Sequence, residues 1–464
     1  MFKPIDNSIL TEFKSAIDER RLITAKEDLV QFSHDETEDL CFYPEVVALV
    51  ETPEEISQLI KICNKYRIPV TPRGAGTGLS GGALATYGGL MIAMQRMNRI
   101  IEIDERNLQA TVESGVVTEN LIRTAAERGL LYPIDLASKD SSFIGGNIAH
   151  GSGGPRVVKY GTIREYILNL QVVLPTGEII WTGANTLKYA SGYNLTQLFI
   201  GSEGTLGIVC KAVVKLIPKP KMNILMLASF PSNEEACEAV GAVFRNSITP
   251  SALEFMERKC IAWVIEHNQI SFDLRDEAQA FLLIEVDGNT PDELMTQYEK
   301  ITEVLKSYSC LAVLLAESDG QKESLWHLRR TIAISVKSNS VYKEEDTVVP
   351  RAALPVLIKG IKEIGQKYGF ESVCYGHAGD GNLHVNIIKG EMSDEDWKNK
   401  LKEGITEIFE LTVALGGTLS GEHGIGLVQS AYMPLKYSEL TLELMRGIKK
   451  VFDPNGILNT GKIF

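Results

Sequence analysis

The sequence predicts an α+β protein built in two or three lobes, and three observations carry that expectation. The chain has 464 residues, more than a single hydrophobic core usually supports. Its first half repeats a strand, helix, strand grammar. After Pro218 and Pro220, which stand among lysines like a linker, that grammar changes.

Taken in order, "YPEVVALVETPEEISQLIKICNKYRIPVTPRG" reads as strand, helix, strand. Thr52 is a good N-cap, Pro53 takes the first helical position, and Glu55 completes a capping box. Ile56, Leu59, Ile60 and Cys63 then recur at helical spacing and define one buried face. The unit ends in the glycine-rich "PVTPRGAGTGLSGGA". A second unit follows, with "LQATVESGVV" as strand and "TENLIRTAAERGL" as helix, and then the loop-rich "YPIDLASKDSSFIGGNIAHGSGGPRVVKYG". "LNLQVVLPTGEIIWTG" resumes the strands, with Thr176 and Gly177 at a hairpin turn. From Met222 to about Glu317, helices such as "NEEACEAVGAVFRN" alternate with strands such as "AFLLIEVDG", the pattern of a separate α+β layer. The last stretch, "ELTLELMRGIKKVFDPNGILNTGKIF", is a helix followed by a turn-rich tail.

Charge and cysteine usage narrow the function classes. Lys+Arg 47 against Asp+Glu 60 gives a net charge of −13, which disfavours long-range attraction to nucleic acid or anionic lipid. The start of the sequence lacks the apolar run of a secretory signal, and no segment reaches the roughly 18 apolar residues of a membrane helix. The expectation is a soluble cytoplasmic protein, free or peripheral to the inner membrane. The 7 cysteines are scattered without a C-x-x-C pair, which fits reduced thiols and excludes an iron–sulfur cluster of the closely spaced kind.

Two constellations carry chemistry. The first is the glycine loop itself, with Gly74, Gly76, Gly78, Gly81 and Gly82 beside Arg73, Thr77 and Ser80. Bare backbone at this density suits a polyanion, because successive N–H groups converge on phosphate oxygens. A strand-like run follows it, and no Gly-Lys-Ser/Thr, so it is neither a Rossmann fingerprint nor a P-loop. The second is "VCYGHAGDGNLHVNII", expected as a hairpin with His377 and His384 at its mouth. Cross-strand neighbours lie close enough for two imidazoles to share one cation. Glu422, beside His423 in "LSGEHGIG", supplies a carboxylate. Two histidines and one carboxylate leave coordination positions open, as a catalytic ion needs. At this level a metal-dependent hydrolase that uses the glycine loop as a phosphate clamp remains an alternative, and so do a turn cluster and surface histidines.

The ordered set "TPRGAGTGLSGGA", "SSFIGGNIAHGSGG", "GSEGTLGI", "YGHAGDGNLHVN" and "SGEHGIG" resembles the FAD-linked D-2-hydroxyacid dehydrogenases of the vanillyl-alcohol oxidase type, from about Tyr43 to the C-terminus. The resemblance implies a two-lobed FAD-binding domain over 1–218, a substrate or cap domain over 219–415, and a segment 416–464 that returns to the flavin. It implies that Arg73, Gly74, Ala75, Gly76, Thr77, Gly78 and the residues just after, Ser80 and Gly81, hold the pyrophosphate of a non-covalent FAD, with Pro72 a further cofactor-binding position and Thr77 where covalent relatives carry histidine. Pro133, Asp135, Ser142, Gly145, Gly146, Asn147, Gly153, Ile208 and Asn459 match its other cofactor positions, with Lys462 nearby. Thr460 departs from the family's usual proline. His377, His384 and Glu422 match the ligands of a zinc, manganese or iron(II) ion. Arg329 matches the grip on the substrate carboxylate, Asn386 a substrate neighbour and His423 the base.

The implied reaction oxidises D-lactate or glycolate and passes electrons to a separate acceptor, an electron-transfer flavoprotein, an iron–sulfur subunit or a quinone. D-2-hydroxyglutarate is the alternative substrate. Ala333 replaces a hydroxyl residue of that branch, and Lys343 is one position away from its distal-carboxylate lysine. A homodimer is left open.

Overall fold

The computed structural model describes residues 2–268 and 275–464. Its contacts divide the chain into two compact units. One holds the residues up to Gly153, with Thr162–Lys219 and Glu422–Phe464; the other holds Gly154–Gly161 and Pro220–Gly421.

In the first unit, one sheet orders the strands Leu22–Ile23, Val46–Leu49, Leu90–Ala93 and Val70–Arg73, the last three parallel. Parallel strands need a crossover, and helix Pro53–Tyr66 carries the chain from Val46–Leu49 to Val70–Arg73 on the far side of Leu90–Ala93. Thr52 caps this helix, its hydroxyl accepting the Glu55 N–H at 3.2 Å. The Glu55 carboxylate does not close the expected box. It accepts the Glu51 N–H at 2.8 Å and pairs with Arg21 at 2.5 Å. Ile56, Leu59, Ile60 and Cys63 are buried against Val46, Ile92, Ile9 and Phe13. Each of the larger apolar side chains contributes about 1.5–3 kcal/mol by leaving water.

The second sheet of this unit is antiparallel, in the order Ile100–Asp104, Gln109–Glu113, Ile208–Lys215, Ile167–Val173, Ile179–Trp181. The turn before Ile179 has Gly177 at φ +96°. The segment expected to be loop-rich instead contains helices Ile144–His150 and Val157–Tyr160. Two adjacent glycines lower helix propensity, but packing requires one of them: a Cβ on Gly145 would lie 2.6 Å from the Ser114 Cβ. Pro218 is also more ordered than a linker, since Ile217–Pro218 pairs with Leu130–Leu131.

The second unit is built on an antiparallel sheet ordered Ala312–Leu315, Met222–Phe230, Ala280–Gly288, Ala252–Glu257, Glu371–Gly376, Asn382–Ile388, Tyr342–Val348. Ala280–Gly288 is buried at every position. Helices Arg258–Asn268, Asp319–Arg330 and Ile332–Asn339 cover one face through Cys260, Val264, Leu325, Trp326 and Val336. Gly154–Gly161 joins this unit through Arg156 to Glu285 at 2.8 Å and the Tyr160 hydroxyl to Asp287 at 2.6 Å.

Candidate active site

The Val70–Arg73 strand runs directly into the glycine loop. Arg73 is buried; its Nη2 donates to the His34 carbonyl at 2.8 Å, and its Nη1 has no partner among the described residues. Burial lowers its pKa from the ordinary arginine value, although a guanidinium stays charged at working pH. Gly76 lies at φ +79°, and a Cβ there would stand 2.3 Å from Arg73 Nη2. Any side chain would therefore displace the guanidinium. A Cβ on Gly74 would come within 3.6 Å of the Gly146 Cα, so loop and helix meet backbone to backbone.

An open cleft results, lined by Pro72, Arg73, Gly74, Gly145, Gly146 and Ile208, and also by Ser114, His150 and Glu203. Ser114 Oγ and His150 Nδ1 on its lining, and Ser80 Oγ and Asn459 Oδ1 elsewhere in this unit, are buried without a hydrogen-bond partner among the described residues. Each such group costs about 1–3 kcal/mol, and folded proteins carry few of them. A cleft bordered by several unpaired donors and acceptors and floored by bare backbone fits a large polar ligand such as FAD.

The other expected cofactor residues lie elsewhere in this unit and are held as follows. Asn147 Nδ2 donates to the Thr118 hydroxyl at 2.5 Å, and the Ser142 and Thr118 hydroxyls lie 3.2 Å apart. Asp135 is paired with Lys139 at 2.9 Å. The Gly81 N–H donates to Thr37 at 2.6 Å, and a Cβ on Gly78 would meet His150 at 3.2 Å. Ala75 and Thr77 are half-buried, Pro133 is buried, and Gly153 closes the first stretch of this unit. Asn459 Nδ2 donates to the carbonyls of Gly82 and Glu203. Lys462 Nζ donates to the Leu84 carbonyl at 2.6 Å, and burial pulls its pKa down to about 8.

Glu203 was not anticipated. It has φ +50°, and its carboxylate accepts the N–H groups of Ile425 and Gly426, each at 2.7 Å. Burial raises its pKa. Glu203 thereby fixes the backbone immediately after His423. The signal was present in "GSEGTLGI", as a carboxylate set between glycines.

In the second unit the site is written on one face of the sheet. Tyr375 and Asp346 are the cross-strand partners of His384, so the imidazole opposite His384 is not His377. His377 lies just past Gly376, and the two rings stand 5.4 Å apart, nearly perpendicular. His377 Nδ1 donates to the Glu254 carboxylate at 2.8 Å, which leaves Nε2 as the ring's lone pair. Metal-binding histidines use this carboxylate support. Arg329 is held by the same carboxylate, through Nε at 2.9 Å and Nη2 at 2.7 Å, and it lies over the Tyr375 ring at 5.0 Å. The bidentate fork expected for substrate is thus largely engaged by Glu254.

Asn386 is buried two positions along the strand from His384, and neither of its amide atoms finds a well-oriented hydrogen-bond partner among the described residues. Asp346 accepts the Ser420 hydroxyl at 2.7 Å and the Gly421 N–H at 2.8 Å, which delivers the chain to the hairpin one residue ahead of Glu422. His377 and His384 stand together on this face, and Glu422 follows Gly421 directly in the chain. Two imidazole nitrogens and a carboxylate fit zinc, manganese or iron(II).

Comparison with known proteins follows the same division. Residues 44–183 match the FAD binding domain, and 219–463 match the C-terminal domain of FAD linked oxidases. The chain is 39% identical to the glycolate oxidase subunit GlcD of Bacillus subtilis, over 93% of this chain and 92% of that one. It is 36% identical to the D-lactate dehydrogenase of Anaerostipes hadrus over 100% and 98%, and 31% identical to the D-2-hydroxyglutarate dehydrogenase of Stutzerimonas stutzeri over 99% of each. The structure of p-cresol methylhydroxylase shares the fold, with a TM-score of 0.80 at 18% identity over 98% of this chain and 96% of that one. Among the described residues, no helix is long and apolar enough to cross a membrane.

Proposed function

Because the chain belongs to the family of FAD-linked oxidases, and is thus an FAD-dependent oxidoreductase of the vanillyl-alcohol oxidase fold acting on hydroxyacids, we propose that its substrate is D-lactate or glycolate, oxidised with the help of a divalent ion. Bound FAD supplies the hydride acceptor, and an ion on His377, His384 and Glu422 supplies Lewis acidity toward the substrate oxygens. The chain's own residues do the rest. Asn386 orients the hydroxyacid by its amide, and the substrate carboxylate falls to the Nη1 end of Arg329. His423 takes the hydroxyl proton on its imidazole, a role suited to a base whose ordinary pKa lies near 7. Glu203, through the N–H groups of Ile425 and Gly426, keeps that base from drifting. Electrons then leave to a separate acceptor.

The observation that carries the substrate assignment is the register of strand Tyr342–Val348. Glu344 pairs with Asn386, and Lys343 pairs with Ile387. Side chains alternate along a strand, so the face bearing His384 and Asn386 also bears Glu344, while Lys343 belongs to the opposite face. Ala333 is exposed. A second substrate carboxylate would meet Glu344 instead of a cation, and an unpaired buried charge is strongly disfavoured. The test is kcat/KM for D-lactate, glycolate, L-lactate and D-2-hydroxyglutarate with an artificial acceptor. We expect the first or second to exceed D-2-hydroxyglutarate by roughly 10²-fold or more, the scale on which a missing polar partner discriminates. Equal values would move the assignment to the 2-hydroxyglutarate branch.

A further inference from the structure

Helix Glu439–Phe452 turns its apolar stripe outward. Leu440 is 67% exposed, Leu444 63%, Ile448 40% and Val451 80%, and their spacing of four, four and three places all of them on one face. The opposite face is the one that packs. Leu442 is buried, Lys449 donates to the carbonyls of Thr205 and Leu458, each at 2.7 Å, and the Phe452 ring lies 5.4 Å from that of Phe199. Four large apolar side chains lined up on a solvent face of one helix mark an interaction surface, because scattered exposed apolar residues are common and contiguous ones are not.

The charges beside the stripe indicate the occupant. One flank carries Glu439, Glu443, Arg446 and Lys450, acidic in its first half and basic in its second. Glu439 and Arg446 pair with each other at 2.6 Å, while Glu443 and Lys450 project on the same side. An antiparallel copy of the helix places the acidic half of one flank along the basic half of the other. It sets Leu444 of one copy against Ile448 of the second and Glu443 alongside Lys450. Gly447 falls at the crossing, where a Cβ would meet nothing within 4 Å, so the backbones have room to approach. Such a surface is complementary to itself, as a two-fold interface requires. A membrane-seeking helix would instead carry Lys and Arg along its polar face, and this chain has a net charge of −13.

We propose that Glu439–Phe452 is a homodimerisation helix, pairing antiparallel with the same helix of a second copy. The pairing involves none of the residues assigned to the reaction, so it stands or falls independently of the substrate.

Sedimentation of the FAD-loaded full chain decides the matter, run up to about 100 μM, a range that captures micromolar association. The expected species has twice the 51.1 kDa mass of the chain. Leu444→Lys, which places two like charges near the axis, should weaken association at least 30-fold while flavin absorbance per chain and catalytic rate stay at wild-type values. Glu443→Lys and Lys450→Glu should each weaken it several-fold at low salt. The double exchange should restore it to within about two-fold, since charge pairing is then re-formed across the axis. A wild-type chain that stays at 51.1 kDa throughout, a dimer indifferent to Leu444→Lys, or a double exchange no better than the singles would each overturn the proposal. Leu444-dependent capture on phosphatidylserine vesicles by a monomeric wild type would assign the face to a membrane surface instead.

Discussion

The glycine cleft of the first unit and the sheet face of the second solve opposite problems. The cleft is made by leaving side chains out: Gly74, Gly145 and Gly146 clear the space, and polar groups on its lining, on Arg73, Ser114 and His150, are left with unmade hydrogen bonds. The sheet face is made by putting side chains in and tying them down, with His377 and Arg329 on Glu254 and the Ser420–Gly421 turn on Asp346. The first arrangement awaits a ligand that completes it. In the second, the supports of His377 and Arg329 are in place before any ligand arrives, and the Asn386 amide is the group left without a well-oriented partner among the described residues for the substrate to use. A site that must grip a large constant cofactor can tolerate the former, whereas one that must aim a small substrate needs the latter.

The comparison breaks most readily at Gly145. Gly145→Ala drives a Cβ into Ser114, and overpacking at such a contact costs about 1–3 kcal/mol. FAD affinity should fall roughly 10²-fold by titration, while bound metal per chain, read by elemental analysis, stays unchanged. Wild-type FAD affinity would mean that the cleft adapts and is not a fixed cradle.

A smaller effect is expected at Glu254, which sharpens the contrast from the other side. Glu254→Gln keeps the size of the side chain and removes the charge that both His377 and Arg329 use. Supporting residues of this kind are worth about 10–100-fold in metal affinity or activity. FAD content should be unaffected, and metal affinity should drop together with kcat/KM. Loss of flavin in this variant would show that the two regions are not separable in the way described.

The smallest effect concerns Lys462, buried in the first unit with its pKa pulled down to about 8. From about pH 8 up to the ordinary lysine range, the folded flavin-free chain binds fewer protons than the unfolded one, so this group makes stability rise with pH across that window. Lys462→Met should flatten the rise by an amount on the order of 1–3 kcal/mol. Parallel pH–stability curves for the two proteins would locate the charge elsewhere.

What could be read from the sequence was whatever local chemistry dictates. Helix Pro53–Tyr66 announced itself through Thr52, Pro53 and its apolar spacing, and both constellations stood out because glycine and histidine are expensive or scarce. What could not be read depended on tertiary contact. Helix Ile144–His150 is hidden by two glycines, one of which, Gly145, only the nearness of Ser114 explains. Glu254 lies in "ALEFME", where a single carboxylate in an apolar strand gives no sign of the histidine and arginine it joins from far along the chain. The hairpin was legible but its register was not, since the turn "HAGDGN" does not reveal that His384 faces Tyr375. The C-terminal helix was equally legible, yet its apolar stripe resembles a core face until the structure turns it to solvent.

The central claim is that the sheet face acts on the substrate while the cleft holds the flavin, and anaerobic mixing of FAD-loaded protein with D-lactate or glycolate tests it most directly. Wild-type protein should lose its oxidised flavin absorbance. His384→Ala should hold the same amount of FAD and bleach at least roughly 10³-fold more slowly, the loss expected when several kcal/mol of Lewis-acid assistance disappear. Bleaching of metal-free His384→Ala at the wild-type rate would contradict the account, because the hydride would then leave the substrate without the side chains this face was built to present.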